Sequence, residues 1–216
     1  YNAGYLAPVD AADPDLAGDA VWLADLLVAQ LPDEPEALGL LALLQLLQSR
    51  AAARFNAGGG LIPLAQQDRS SWDRGLIQAA DGLLLRAAAL HRPGRYQLQA
   101  ALAACHAQAR SAGETDWLQI LTLYDMLLRF DRSPVVLLNR AIALAEVSGP
   151  ADALAEVERL NDRLRDYHLL HAARAQLLAA LGRDDEARDA NVQALSLTGN
   201  PAERELLLGR IGPAGA

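Results

Sequence analysis

Apolar residues return along this chain every third or fourth position, while period-two alternation and β-branched runs are nearly absent, so the pattern is that of helices burying one face. The breaks between periodic stretches give the elements. Asp13-Pro14 precedes a helix over about 15–31, and Asp33 with Pro35 in the first turn opens one over about 34–55. Asn56-Ala57-Gly58-Gly59-Gly60 ends it and reads as a flexible hinge, with the longest loop over 61–67. Ser70 or Ser71 caps a helix over 72–90, and Pro93-Gly94 breaks the chain before one over 96–111. After Gly113, Thr115 caps a helix that ends near Phe130. Ser133 as cap, with Pro134 at the first helical position, starts a helix that runs to about Val147. Gly149-Pro150 turns the chain, and helices follow over about 151–161, 165–181, 184–197 and 201–210, separated by Gly182 and Gly199-Asn200-Pro201.

Evenly spaced helix pairs call for a test for internal repeats, because stacked pairs bury a core that one pair cannot. A shift of 34 residues lays Arg140, Ala141, Leu144, Ala145 and Ala153 on Arg174, Ala175, Leu178, Ala179 and Ala187, and 34 is the tetratricopeptide period. Small side chains at Ala141 and Ala175 let two helices approach, and Leu144 and Leu178 fill the space between units. The expected fold is therefore all-α: stacked antiparallel helix pairs, forming a tetratricopeptide-like superhelix in the second half after a more irregular helical first half. The expected domain map is a single all-helical domain over 13–211, divided into an irregular half (13–131) and a repeat half (132–211), with a frayed tail at 212–216.

Composition narrows the function classes. A chain of 216 residues, 52% hydrophobic, can bury a continuous core. Its single cysteine, Cys105, lies in an alanine-rich run and reads as a small buried hydrophobe; one cysteine permits no internal disulfide and points to a reducing, cytoplasmic setting. No apolar stretch reaches the roughly 20 uninterrupted residues of a spanning helix, so no membrane contact is expected. Net charge is −8, every basic residue is arginine, and no basic stripe carries interleaved aromatics, so direct nucleic-acid binding is not expected.

Two polar islands stand out in the alanine- and leucine-rich background: Gln67-Asp68-Arg69-Ser70-Ser71-Trp72-Asp73 and Thr115-Asp116-Trp117. Asp68, Arg69, Asp73 and Arg74 are close enough in sequence for an ion-pair network, and acidic groups at a helix start also suit the helix dipole. Trp72 is expected to pack beneath the loop. Asn139 and Arg140 sit in the middle of an apolar helix and need partners if buried; they link repeats or face a groove. His168 and His171 are three residues apart, but no His-Glu-x-x-His pattern accompanies them, and structural or surface roles are favoured over a zinc site. No nucleophile elbow, phosphate loop or dinucleotide fingerprint is present, and the lack of lysine excludes a Schiff base. No catalytic residue, metal ligand or cofactor is expected.

Taken in order, Tyr1-Asn2-Ala3-Gly4-Tyr5, Leu38-Gly39-Leu40-Leu41-Ala42-Leu43, the island at 67–73, Tyr96-Gln97-Leu98-Gln99-Ala100, Thr115-Asp116-Trp117 and Ser133-Pro134-Val135-Val136-Leu137-Leu138-Asn139-Arg140-Ala141 resemble the C-terminal, tetratricopeptide-like extension of bacterial extracytoplasmic-function sigma factors. The likeness covers nearly the whole chain. It implies a role in transcription initiation within a protein that binds core RNA polymerase. The polymerase-binding and promoter-reading regions have no counterpart here, and 1–12 reads as the linker that would follow them, so a domain that does not initiate transcription alone is expected. The implied partners are RNA polymerase, the sigma regions of the full-length protein and a co-encoded YCII-related protein.

The first hypothesis is thus a regulatory interaction domain presenting a curved helical surface. The second is a small-molecule sensor with a pocket around Gln67, Asp68, Arg69, Trp72, Asp73, Tyr96, Gln97, Asp116 and Trp117. An enzyme ranks last.

Overall fold

A computed structural model describes residues 16–211, and among them the regular structure is entirely helical. The helices are α1 (Leu16–Gln30), α2 (Pro35–Gln48), α3 (Arg74–Ala89), α4 (Arg95–Gln108), α5 (Trp117–Leu127), α6 (Pro134–Ser148), α7 (Pro150–Glu158), the single turn α8 (Asn161–Leu164), α9 (His168–Ala180), α10 (Asp184–Leu197) and α11 (Pro201–Ile211). Short 3-10 turns occupy Ala51–Ala53, Leu64–Gln66, Arg69–Ser71 and Ala112–Glu114. None of the described helices is long and apolar enough to cross a membrane. The readings at 1–12 and 212–216 lie outside the described residues.

The chain divides into two compact units, the first ending at Phe130 and the second beginning at Asp131. In the first, α2 is the central element, packed against α1, α3 and α4. Its run of Leu38, Leu41, Ala42, Leu44 and Leu46 is buried almost all round, which is why the segment reads as continuously apolar. Trp72, Ile77, Ala80 and Ala104 close the same core. The approach of α4 to α2 depends on Gly39: a Cβ there would lie 2.6 Å from the main-chain nitrogen of Gln97. In the second unit α7 packs between α6 and α9, and α10 closes on α9. Ala141, Ala153, Ala175 and Ala187, the small residues paired by the 34-residue shift, are all buried there. Arg140 of α6 bonds Glu156 and Arg174 of α9 bonds Glu158, so α7 is tied on both sides.

Several boundaries differ from the sequence reading, each for a local reason. The helix expected to reach Phe55 stops at Gln48, because the Ser49 hydroxyl donates to the Leu46 carbonyl and the Ser49 carbonyl accepts from Asp73 N–H. Beyond the turn, Phe55 and Leu61 pair as an isolated bridge. The expected glycine hinge is held by Asn56, whose Oδ1 accepts from the N–H of Gly58 and of Gly60, with Gly59 at φ +82°. Helix α2 is capped by Glu34 rather than Asp33, although Pro35 does take the first helical position. Helix α3 starts at Arg74, not Trp72, and its cap is Asp73 rather than Ser70 or Ser71. Helix α5 is capped by Asp116 and not by Thr115. In each revised case a carboxylate at the helix start took the cap from a neighbouring residue. Ser133 caps α6 as the sequence indicates, its Oγ accepting from Val136 N–H.

Candidate functional site

The two polar islands meet at the C-terminal end of α4. Asp68 accepts hydrogen bonds from the N–H and hydroxyl of Ser70, at 2.9 and 2.7 Å, closing the Arg69–Ser71 turn. These bonds also hold the Asp68 carboxyl below its ordinary pKa. The turn points Arg69 inward, where only 5% of it is exposed. Its guanidinium donates to the carbonyls of His106 (2.8 Å) and Ala109 (3.0 Å) and to the hydroxyl of Thr115 (3.2 Å), and lies over the Trp72 ring at 5.4 Å. Arg74 adds a bond to the Ala107 carbonyl at 3.3 Å. The last carbonyls of a helix have no partner within it and carry its negative dipole end. Two guanidinium groups supply donors to them here. Burial lowers the pKa of Arg69, and the charge of Glu114 works against that shift. The ion-pair network expected among Asp68, Arg69, Asp73 and Arg74 does not form. Both carboxylates cap helical turns, and the hydrogen bonds of both arginines run to neutral oxygens.

The second island completes the joint. Thr115 is buried and serves as an acceptor for Arg69, which explains why the cap of α5 falls to Asp116, whose Oδ1 accepts from Gln119 N–H at 2.8 Å. Trp117 sets its ring edge-on to His106, with centroids 5.4 Å apart. Burial, with the positive charges of Arg50 and Arg69, pushes the His106 imidazole down to about 4, so it is neutral at physiological pH. Beside it the Cys105 thiol is buried and its pKa is raised by that burial and by Asp116. Gln67 donates to the Ile62 carbonyl, while its Oε1 and the Trp72 indole N–H are buried without a protein partner.

The remaining candidates lie elsewhere. Tyr96 and Gln97 stand at the opposite end of α4, about nine residues and so ~13 Å from His106, and do not join the islands. The N-cap position of α4 is Gly94, which has no side chain to cap the helix. The cap comes from α2 instead: Glu36 accepts from the N–H of Tyr96 (2.9 Å) and from the N–H and side-chain amide of Gln97 (3.2 and 3.3 Å). Gln97 also donates to the Arg92 carbonyl at 2.8 Å. A Cβ on Gly94 would come within 2.4 Å of the Glu36 carboxyl, so a larger residue there would displace the group that caps α4. Arg140 belongs to the second unit, where its Nη1 bonds both carboxylate oxygens of Glu156 at 2.9 and 3.1 Å, and Asn139 is exposed. His171 bonds the Arg165 carbonyl at 2.7 Å and His168 lies 3.0 Å from Glu203, so the two imidazoles serve different partners.

Sequence reasoning missed Glu36 and Gly39. Both had a signal. A glycine inside an otherwise strong helical run marks close approach of another backbone, and a helix opening on Pro93-Gly94 lacks its own cap and must borrow one.

These features define an all-helical protein whose polar motifs are built into the joints between helices. The first 88 residues match a family of unknown function, DUF6596. The chain is also 45% identical, over 205 residues, to an uncharacterized protein of Rhizobium meliloti (strain 1021); the match covers 94% of this chain and 48% of that protein. The chain thus spans about half the length of this curated relative. No solved structure matches it.

Proposed function

We propose that this chain is a regulatory, protein-interaction domain of an extracytoplasmic-function sigma factor, acting in transcription initiation through contacts with the sigma regions, RNA polymerase or a partner such as a YCII-related protein. The observation that carries the reading is the joint at Arg69. The two islands most characteristic of the resemblance are 46 positions apart at Arg69 and Thr115, and one hydrogen bond joins them. Two of the motifs that carry the resemblance are thereby tied together within the first compact unit. Support for a tetratricopeptide-like second half comes from Ala141, Ala153, Ala175 and Ala187, which the 34-residue shift superposes and which are all buried.

The test is transcription from a cognate promoter by core polymerase and the longer protein, intact and lacking the region equivalent to this chain, with binding of the isolated chain to polymerase and sigma regions measured alongside. A changed promoter output together with binding is expected. Unchanged output with no binding would refute the proposal.

The small-molecule reading draws on a separate observation. At the Arg69 joint the Trp72 indole N–H and Gln67 Oε1, one donor and one acceptor, are buried and unpartnered, and buried polar groups ordinarily have partners. A small polar ligand that reached these groups would give them partners. A thermal-shift screen of metabolites tests it: a stabilising compound whose effect is lost in Gln67→Leu supports the sensor, and silence across the library removes it.

A further inference from the structure

Helix α1 is apolar on two faces, and among the described residues only one of them is covered. Ala17, Ala24 and Val28 are buried against the rest of the first unit, as the spacing of seven and four residues requires. On the other side Trp22, Leu23, Leu26 and Leu27 are exposed by 60, 58, 42 and 39%, with Leu31 beyond them at 47%. A strip of this density differs from the single exposed leucines common on protein surfaces and marks an interaction site.

Charge defines what fits it. Asp19 lies within the strip, three and four residues before Trp22 and Leu23, and Asp25 flanks it; both are exposed and α1 carries no cation. The asymmetry is larger than one helix. Before Arg50 the chain has eight acidic residues and no basic one, while from Arg50 onward 19 acidic residues balance 19 basic ones. The whole net charge of −8 therefore resides in the segment that contains α1 and α2.

We propose that the Trp22–Leu27 face of α1 is the docking surface for a cationic amphipathic helix of a separate protein partner, about four turns long, its apolar stripe on Trp22, Leu23 and Leu26 and its arginine or lysine side chains meeting Asp19 and Asp25. Helix-on-helix docking places anchors at the three- and four-residue spacing this strip presents. A second copy of the chain suits the face poorly, since it would bring one cation-free acidic strip against another, and the leading segment 1–15 has three aspartates and no basic residue. An anionic lipid surface is repelled for the same reason. The proposal does not depend on the transcriptional reading above.

The test uses the full chain and two fluorescently labelled model peptides with the same leucine stripe, one carrying arginine and the other glutamate on its polar face. Anisotropy should show the arginine peptide binding at least tenfold more tightly, with an affinity that falls as salt is raised past ~0.1 M, where the screening length drops below ~10 Å. Leu23→Asp and Leu26→Asp should each weaken binding tenfold or more. The double reversal Asp19→Arg with Asp25→Arg, which leaves the apolar strip intact, should abolish the preference between peptides. Because all four positions are exposed, circular dichroism should show unchanged helicity in every variant. Equal binding of the two peptides, or none by the arginine peptide, would overturn the proposal. So would a dimer in sedimentation equilibrium that Leu26→Asp dissociates, which assigns the face to a second copy. A tenfold gain in peptide affinity in Leu6→Asp with Val9→Asp would equally overturn it, by showing that the chain's own leading segment fills the strip.

Discussion

Arg69→Met offers the sharpest check on the joint, because it keeps much of the side chain's bulk and removes its donors. The native guanidinium is 5% exposed and donates to two main-chain carbonyls and one hydroxyl. Hydrogen bonds from charged groups contribute about 1.5–3 kcal/mol each, and an orphaned buried acceptor costs about 1–3 kcal/mol. The loss is smaller than a simple sum, since the variant no longer desolvates a cation, a cost visible in the lowered pKa of Arg69. Thr115 keeps its own hydroxyl donor when the bond it accepts from Arg69 is lost, so it is orphaned less completely than a carbonyl. Counting mainly the two carbonyls gives a net destabilisation of about 3 kcal/mol. For a unit of this size that corresponds to a fall in Tm of about 10 °C. Urea titration followed by circular dichroism measures the loss, and amide exchange should accelerate first in the last turn of α4 and around Thr115.

Arg69→Lys separates the fork from the charge. A single ammonium cannot span the carbonyls of His106 and Ala109 together with the Thr115 hydroxyl in the planar arrangement arginine provides, so about 2 kcal/mol should still be lost. Asp68→Ala, which removes the exposed cap of the Arg69–Ser71 turn, should cost less than either Arg69 variant. If the lysine variant is as stable as the wild type, or Arg69→Met costs under about 1 kcal/mol, the joint is not held by guanidinium geometry and the reading fails.

Two further outcomes follow from the same packing. Gly39→Ala adds a helix-favouring residue, a gain of about 1 kcal/mol, but its Cβ would sit 2.6 Å from Gln97 N and 2.9 Å from Gln97 Cα; the overpacking cost of about 1–3 kcal/mol or more should win, and a stabilised variant in urea would count against the close approach of α2 and α4. For pH, His106 has its pKa lowered from 6.5 to about 4, so the unfolded chain binds its proton more readily than the folded one. Its contribution is complete above pH 6.5 and is lost as pH falls toward 4, by about 3 kcal/mol at most. His106→Gln should flatten this part of the stability profile, and an unchanged slope would show that the imidazole is not responsible; Asp68 and Glu186, both with lowered pKa values, add their own loss at still lower pH.

What could be read from the sequence and what could not divide along a physical line. Interactions local in the chain were legible. Ser133-Pro134 announces a cap and a first helical residue, Gly182 with φ +71° ends α9, and the apolar run of α2 announces a helix buried almost all round. The caps that were misplaced show the limit of that logic. Ser70, Ser71 and Thr115 are all good capping residues, yet each stands within three positions of an aspartate that performs the role, and propensity alone does not choose between neighbours. Thr115 is diverted by a partner 46 positions away, which no local pattern announces.

The same distinction governs the candidate site. Composition singled out Arg69 and Trp72 as unusual in an alanine-rich chain, and they are unusual because they are interior. Polar side chains buried in a helical domain must find partners, and the partners nearest to hand are the unsatisfied carbonyls at helix ends. Residues selected for standing out from an apolar background will therefore often prove to be joints rather than contact surfaces. The converse holds for α1. Trp22, Leu23 and Leu26 blend into the leucine-rich pattern and attract no notice in the sequence, since periodicity reports which positions are apolar but not whether a neighbour covers them. Only the packing of Ala17, Ala24 and Val28 reveals that one face of α1 is already occupied and the other remains apolar and exposed. In a helix-rich chain, surfaces for partners are thus to be sought where apolar periodicity exceeds what the fold can bury, and not where polarity interrupts it.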